Sequence, residues 1–167
     1  MSFSSDQELS NAITQRLISA TGYVVEKILD KNEDTIAKVV YSAYSPTTYE
    51  RTNEFKEAWD TMTSGGGKHA EGEFFYQPNS MSSTPGDNGH LAQHASQVSG
   101  ASMIDVMPDI LYEGSMGCIF RPTHRDAWDE LDKWITVQRM KKWFGAGLRH
   151  SGLPWTGEEG SADKFYE

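Results

Sequence analysis

The chain has 167 residues and a formal net charge of −9 at pH 7, and its composition is 37% hydrophobic and 11% aromatic. This length supports one domain with a real core over residues 1–167, and two independent cores are not expected. The negative charge argues against a sequence-independent grip on nucleic acid, because such binding needs clustered Lys and Arg to displace counterions.

Cysteine content and hydropathy exclude further classes. Cys118 is the only cysteine, which excludes an intramolecular disulfide and a cysteine-rich zinc site. Residues 1–6 contain neither a basic segment nor an apolar run, so we expect no signal peptide. The sequence has no run of about 18 apolar residues, so we expect no transmembrane span.

The first predicted element is a long helix over residues 5–44. Ser5 and Glu8 form a capping-box pattern, and apolar residues then recur at helical spacing. A helix of about 40 residues spans roughly 60 Å, more than a domain of this size covers on one side. Part of it is therefore expected to pack on another subunit. The polar residues around Asn32 leave open a second interpretation, namely two helices joined there.

A structural joint at residues 44–52 ends this helix. Pro46 fixes its own φ and moves Ser45 out of the helical region, so the chain must change direction. The joint and a short amphipathic helix are predicted to occupy residues 45–63, and glycines then predict a flexible turn. The aromatic residues of this segment are Tyr49, Phe55 and Trp59.

A β-containing body is predicted over residues 70–120. The aromatic run at residues 73–77 is typical of a strand and is predicted to be one arm of a hairpin. Residues 79–102 are rich in Ser, Gly, Asn and Gln and are expected to form a flexible insertion. A short helix around residues 90–98 is the alternative for that insertion.

A C-terminal helix rich in tryptophan is predicted over residues 121–147. Its apolar residues cover more than one face, which indicates burial on two sides. Lys141 and Lys142 stand near its predicted end, where the helix dipole favours cations. Gly145 and Gly147 are predicted to stop the helix.

Residues 156–167 form an acidic tail that is expected to fray. Together these elements predict an α+β fold. It has a long N-terminal helix, a small antiparallel β-sheet and a C-terminal Trp-rich helix.

Histidines provide one candidate metal site. His90 and His94 stand four residues apart and would share a face of a helix, where they could hold a divalent metal. Asp87 or His69 would supply a third ligand. The motif His-Glu-x-x-His is absent and glycines surround the pair, so two solvated histidines are the favoured interpretation.

Cys118 and His124 could act as the nucleophile and base of a hydrolase. A lone cysteine beside Ile119 and Phe120 is more often a small buried hydrophobe, and that interpretation is favoured. We therefore predict no catalytic residue, no metal and no cofactor, and we expect that the protein is not an enzyme.

Tryptophans near the C-terminus are candidates for a platform that stacks on single strands or sugars. Stacking on nucleic acid normally accompanies a basic groove, and basic residues are present nearby. Packing in the core or at a subunit interface is the favoured use. The tryptophans are Trp128, Trp134, Trp143 and Trp155, and the basic residues are Lys133, Arg139, Lys141, Lys142 and Arg149.

Three features together resemble the tail-completion or minor structural proteins at the neck of tailed bacteriophages. They are the long N-terminal helix, the joint YSPTTYERT at residues 44–52, and the segment ILYEG at residues 110–114. In that family a long helix ends at a joint with proline, and the chain then enters a small β-sheet. The resemblance covers residues 5–65 and 104–120.

The resemblance implies a non-enzymatic virion protein that forms a homo-oligomeric ring at the head–tail neck. DNA would pass nearby without specific binding, and an acidic channel wall would suit this because it offers no counterion release. The implied partners are other neck, portal-adaptor and tail-tube proteins, with no membrane. The implied location is the virion, after assembly in the host cytoplasm.

Subunit contacts are expected along the joint and on the tryptophan-bearing segments. A helix too long for its own domain and aromatic residues beyond the needs of one core favour such lateral contacts. The alternatives are a small metal-dependent or cysteine hydrolase, and a monomeric binding module that uses the Trp-rich C-terminal helix. The expected interface residues are Tyr44, Pro46, Tyr49, Arg51, Trp59, Trp128, Trp134 and Trp143.

Overall fold

The computed structural model describes residues 4–42, 53–67, 69–81, 108 and 127–155. Their long N-terminal helix, two-stranded antiparallel sheet and C-terminal helices confirm the predicted α+β fold class. The elements are α1 (Asp6–Ile36), α2 (Glu54–Glu57), β1 (Trp59–Gly66), β2 (His69–Tyr76), α3 (Ala127–Trp134) and α4 (Val137–His150), with a π-helical turn at Ala37–Tyr41 and a 3-10 turn at Pro78–Ser80.

The chain divides into two compact units. The first unit contains Met1–Lys31, Asp60–Phe75 and Asp132–Glu167, and the second contains Asn32–Trp59 and Tyr76–Leu131. Segments that are distant in sequence therefore meet in each unit. The single domain expected for residues 1–167 stays a prediction.

Helix α1 begins at the predicted capping box. Ser5 Oγ accepts a hydrogen bond from the Glu8 N–H at 3.3 Å. The Glu8 carboxylate accepts from the hydroxyl and the N–H of Ser4, at 2.6 and 2.8 Å. These bonds favour the ionised carboxylate and lower the pKa of Glu8 below its ordinary value of 4.5. The contribution of Glu8 to the start of the helix is therefore lost as the pH falls through that lowered pKa.

Helix α1 is continuous through Asn32, so the interpretation as two helices joined there is wrong. Its 31 residues span roughly 46 Å. The helix widens into the π-helical turn at Ala37–Tyr41, where the Ser42 N–H donates to the Ala37 carbonyl at 3.0 Å. Residues 43–52, with the predicted joint, lie outside the described residues.

Strands β1 and β2 form a hairpin, which confirms the predicted hairpin arm in β2. The helix predicted through residue 63 is wrong from Trp59 onward, because Trp59, Thr61 and Thr63 are half-buried in alternation with exposed residues. Aromatic and β-branched residues at period two fit a strand once a partner strand is present. Gly67 makes the turn with φ +62°, a conformation that favours glycine.

The hairpin packs closely on α1 within the first unit. A Cβ atom at Gly65 would lie 2.8 Å from Ile18 Cγ1, and one at Gly72 would lie 2.7 Å from Val25 Cγ1. The absence of a side chain at both positions lets the strands approach the helix. One face of the hairpin is therefore covered by α1, and the residues of opposite parity point away from it.

The predicted C-terminal helix is two helices in the structure. The chain leaves helical conformation at residues 135–136, and Thr136 caps α4 by accepting a hydrogen bond from the Arg139 N–H at 3.3 Å. The prediction of one helix over residues 121–147 is wrong because an N-cap threonine in extended conformation starts a new helix. Residues 109–126 lie outside the described residues.

Helix α4 ends beyond the predicted stop. The Leu153 N–H donates to the Leu148 carbonyl at 2.9 Å, and the Gly152 N–H donates to the Arg149 carbonyl at 3.0 Å. This pair of bonds is a Schellman motif, and Gly152 supplies its left-handed residue with φ +82°.

Gly145 and Gly147 lie inside α4, so their prediction as the stop is wrong. A Cβ atom at Gly147 would lie 2.7 Å from Ala20 Cα, and one at Gly145 would lie 2.5 Å from Trp155 Cδ1. Both glycines are therefore required by close packing within the first unit.

The core of the second unit is formed by Ile36, Val40, Phe55 and Ala127. The backbone ties this core together, because the Gln77 N–H donates to the Ala58 carbonyl at 2.7 Å. The half-buried residues around it are Val39, Tyr41, Trp59, Tyr76 and Met81.

Asn32 is fully buried in the second unit, and neither its Nδ2 nor its Oδ1 has a hydrogen-bond partner among the residues that the structure describes. Leaving such a group unsatisfied costs about 1–3 kcal/mol. We expect Asn32→Leu, which has a similar volume, to raise the free energy of unfolding by about 1–3 kcal/mol in urea denaturation. The exposed Asn11→Leu is the control and should change it by about 0.5 kcal/mol or less. A loss of stability in Asn32→Leu would show that the amide makes a hydrogen bond in solution.

Candidate functional site

The structure describes only the tryptophans among the predicted interface residues. Trp59 and Trp128 lie in the second unit, whereas Trp134 and Trp143 lie in the first unit. Each pair is in ring contact. The remaining predicted interface residues, Tyr44, Pro46, Tyr49 and Arg51, lie outside the described residues.

An aromatic cluster in the second unit contains Phe55, Trp59, Tyr76 and Trp128. The ring centroids of Trp59 and Trp128 lie 4.8 Å apart, and those of Trp59 and Tyr76 lie 5.1 Å apart. Phe55 meets Trp59 edge to face at 6.2 Å. Such tilted and edge-to-face arrangements are the favoured geometry of aromatic pairs. These rings therefore pack within the unit, and an interface role for Trp59 and Trp128 stays a prediction.

Trp134 and Trp143 form a second ring pair, with centroids 4.8 Å apart. The Arg139 guanidinium lies 5.1 Å from the centroid of Trp134, and its Nη1 donates to the Trp134 carbonyl at 2.6 Å. The Lys31 ammonium lies 5.4 Å from the same ring. Both distances are within the range of cation–π attraction. The Arg139 guanidinium is therefore held by both the ring and the carbonyl of Trp134. Arg139 nevertheless remains exposed to solvent.

Helix α4 is basic in a chain that is acidic as a whole. It carries Arg139, Lys141, Lys142 and Arg149 and contains neither Asp nor Glu. The predicted benefit of Lys141 and Lys142 to the helix dipole is wrong, because the break before Val137 places them in the first half of a separate helix. The helix dipole acts within the first and last turns, so it no longer favours the charge of either lysine.

A shallow cleft lies at the start of α4. It has a volume of about 410 Å³ and is lined by Lys133, Thr136, Gln138, Arg139 and Lys142. Within the described ranges, neither Lys133 nor Lys142 forms an ion pair. We call this surface the basic cleft. Its three cations, together with the helix N-terminus, attract carboxylates and other anions.

The outer face of the hairpin carries the opposite charge. Asp60 in β1 and Glu71 and Glu73 in β2 are exposed, on the face that points away from α1. Met62 lies on the same face and is 53% exposed. We call these residues the acidic hairpin face. A methionine between carboxylates provides an apolar contact inside a charged surface.

The N-terminal part of α1 exposes apolar residues. Leu9 and Ile13 are each 40% exposed, although they continue the stripe that is buried further along at Ala20 and Val24. Leu9 and Ile13 are named the apolar α1 stripe. Spacing of four residues places them on one side of the helix, so a single partner could cover both.

The candidates for metal or cysteine chemistry are almost all outside the described residues. His69 is exposed at the start of β2, and in the part of the chain that the structure describes, no three acidic, histidine or cysteine side chains form a metal-binding group. None of the described helices is both long and apolar enough to cross a membrane. The undescribed candidates are Asp87, His90, His94, Cys118 and His124.

A comparison with protein-family models matches residues 6–149 to YomN. The chain belongs to the YomN family. The match runs from α1 to the penultimate residue of α4 and so includes the hairpin and the basic cleft. The family name points to a phage-derived protein, in agreement with the phage resemblance of the sequence. No curated protein and no solved structure matches the chain.

The sequence predicted the basic cleft only in part and did not predict the acidic hairpin face. The cations of the cleft, Lys133, Arg139 and Lys142, belong to the basic group predicted beside the tryptophans. The helix break beside them was not predicted, and its local signal is Thr136, a good N-cap residue ahead of Val137. The acidic hairpin face depends on β1, whose alternation of Trp59, Thr61 and Thr63 was the available signal.

Proposed function

We propose that this protein is a non-enzymatic structural protein of a tailed-phage virion, and that its copies form a ring at the head–tail neck. The role would be tail completion or head–tail joining, with DNA passing through the ring. Membership of the YomN family supports the phage origin. The exposed surfaces and the charge of the chain support the proposal of a ring and of its place in the virion.

The apolar α1 stripe is the observation that carries this proposal. Leu9 and Ile13 each keep 40% of their surface in contact with solvent, on a helix of 31 residues. Full burial of such a side chain contributes about 1.5–3 kcal/mol, so covering the remaining surface stabilises a complex. A neighbouring copy that packs on this part of α1 would make the lateral contact that a ring needs.

The net charge of −9 supports passage of DNA through such a ring. A protein that neutralises phosphates binds DNA by releasing counterions, whereas an acidic wall offers no such release. DNA would therefore slide through without being held. Portal-adaptor, tail-tube and other neck proteins would contact the two rims of the ring.

Disruption of the apolar α1 stripe tests the proposal. We expect the purified protein to form rings at high concentration, seen by sedimentation velocity and electron microscopy. Leu9→Gln combined with Ile13→Gln should weaken this association about tenfold or more, because apolar surface is lost at the contact. It should lower the thermal unfolding midpoint of the monomer only modestly, since each side chain leaves 40% of its surface in solvent.

Asn11→Ala combined with Gln15→Ala is the matched control, because both residues are exposed on the same turns of α1. This control should assemble like the unchanged protein. Gold-labelled antibody against the protein should also mark the neck of virions. A protein that stays monomeric at high concentration and is absent from the neck would contradict the proposal.

A further inference from the structure

We propose that the basic cleft of one copy binds the acidic hairpin face of the neighbouring copy. This inference rests on the proposed ring and adds a polar contact between its subunits to the apolar contact at α1. The pairing brings Lys133, Arg139 and Lys142 of one copy to Asp60, Glu71 and Glu73 of the next.

The basic cleft is arranged to receive carboxylates. Arg139 is fixed by the ring and the carbonyl of Trp134, so little side-chain entropy is lost when it binds a partner. Lys133 and Lys142 form no ion pair within the described residues. The α4 N-terminus adds partial positive charge and has no acidic residue in its first turn. Cations that form no ion pair with a described residue are available to bind an acidic partner.

The acidic hairpin face offers matching chemistry. Glu71 and Glu73 are two residues apart on β2, so both carboxylates point to the same side. Met62 on this face is 53% exposed and adds an apolar contact beside the carboxylates. Contacts of this kind fix register and steer association through charge complementarity.

A second copy fits the cleft better than nucleic acid does. A cleft of about 410 Å³ receives a few side chains rather than the continuous backbone of a nucleic acid. Each copy carries both surfaces, on different elements. A contact between two different surfaces of identical chains is heterologous, and heterologous contacts generate rings when the rotation closes.

Zero-length cross-linking is the first test. Equal amounts of unlabelled and ¹⁵N-labelled protein are mixed at high concentration and treated with a carbodiimide, which joins carboxylates to amines in direct contact. We expect mixed-isotope peptides that link Lys133 or Lys142 to Glu71 or Glu73. High salt should reduce their yield because exposed charges are screened. Mixed-isotope peptides that avoid all four residues would overturn the inference.

Charge reversal is the second test. Lys133→Glu with Lys142→Glu, and separately Glu71→Lys with Glu73→Lys, should each weaken association about tenfold or more, since like charges then face each other. An equal mixture of the two variants should assemble again, because each reversed surface meets a complementary one. Glu26→Lys with Asp34→Lys makes the same change in net charge as Glu71→Lys with Glu73→Lys, at exposed positions of α1, and should not weaken association.

The outcomes separate this inference from the proposed function. Rings that form equally well from every variant would overturn the pairing and leave the ring proposal standing. Variants that fail to assemble even when mixed would also overturn the pairing. An unchanged protein that forms neither rings nor mixed-isotope cross-links would overturn both proposals.

Discussion

Phe55→Ala is expected to lower the free energy of unfolding by about 3–4 kcal/mol, the range for removing a buried aromatic ring. Phe55 is 6% exposed and lies in the core with Ile36, Val40 and Ala127. The centroid of its ring lies 6.2 Å from that of Trp59 and 5.8 Å from that of Tyr76. The substitution therefore removes aromatic pairs as well as buried area.

Urea denaturation followed by tryptophan fluorescence measures this effect, because Trp59 belongs to the same aromatic cluster. Phe55→Leu keeps most of the buried volume and should cost about 1–1.5 kcal/mol. Met62→Ala removes a side chain that is 53% exposed and should change stability by about 0.5 kcal/mol or less. Equal effects of Phe55→Ala and Met62→Ala would contradict the assignment of Phe55 to the core.

Gly147→Ala and Gly22→Ala are expected to change stability in opposite directions. Both glycines lie in helices, where replacement by alanine ordinarily stabilises by about 0.5–1 kcal/mol. At Gly22 the new Cβ would lie 3.7 Å from Thr63 Cγ2, an ordinary contact, so that gain should be kept. At Gly147 it would lie 2.7 Å from Ala20 Cα and 3.0 Å from its carbonyl oxygen. Backbone atoms cannot turn away as a side chain can, so we expect a loss of about 1–3 kcal/mol.

Thermal unfolding of the two variants under the same conditions measures this difference. Gly22→Ala should raise the midpoint by a few degrees, and Gly147→Ala should lower it by more, in proportion to the free energies. Circular dichroism should show that both variants keep their helical content. Stabilisation by Gly147→Ala would mean that α4 does not approach α1 closely at Ala20.

The candidate site was predictable in part. Tryptophans of the C-terminal region were expected to pack in a core or at an interface, and Trp134 and Trp143 do pack together. The cations of the basic cleft belong to the basic group predicted beside the tryptophans, but the helix break at Thr136 was not predicted. That break moves Lys142 away from a helix end, so the dipole no longer favours its charge, and it places a helix N-terminus beside Arg139.

By itself the sequence determined the α+β class, the long helix α1 and one arm of the hairpin. These features follow from local signals in the sequence. The signals are the capping-box pattern of Ser5 and Glu8, the helical spacing of apolar residues, and an aromatic run between turn residues. Local signals act over a few residues, so they can be read in order along the chain.

Only the tertiary structure decided the strand at Trp59, the roles of Gly145 and Gly147, and the union of segments that are far apart in sequence. A strand forms only when a partner strand pairs with its backbone. Two helices approach closely only where both have small residues at the contact, as Gly147 of α4 and Ala20 of α1 do. Glycine reads locally as a helix stop, but at Gly147 the packing of α1 outweighs that tendency, and the stop moves to Gly152. The same long-range packing covers one face of the hairpin, so that Glu71 and Glu73 are left on its outer face.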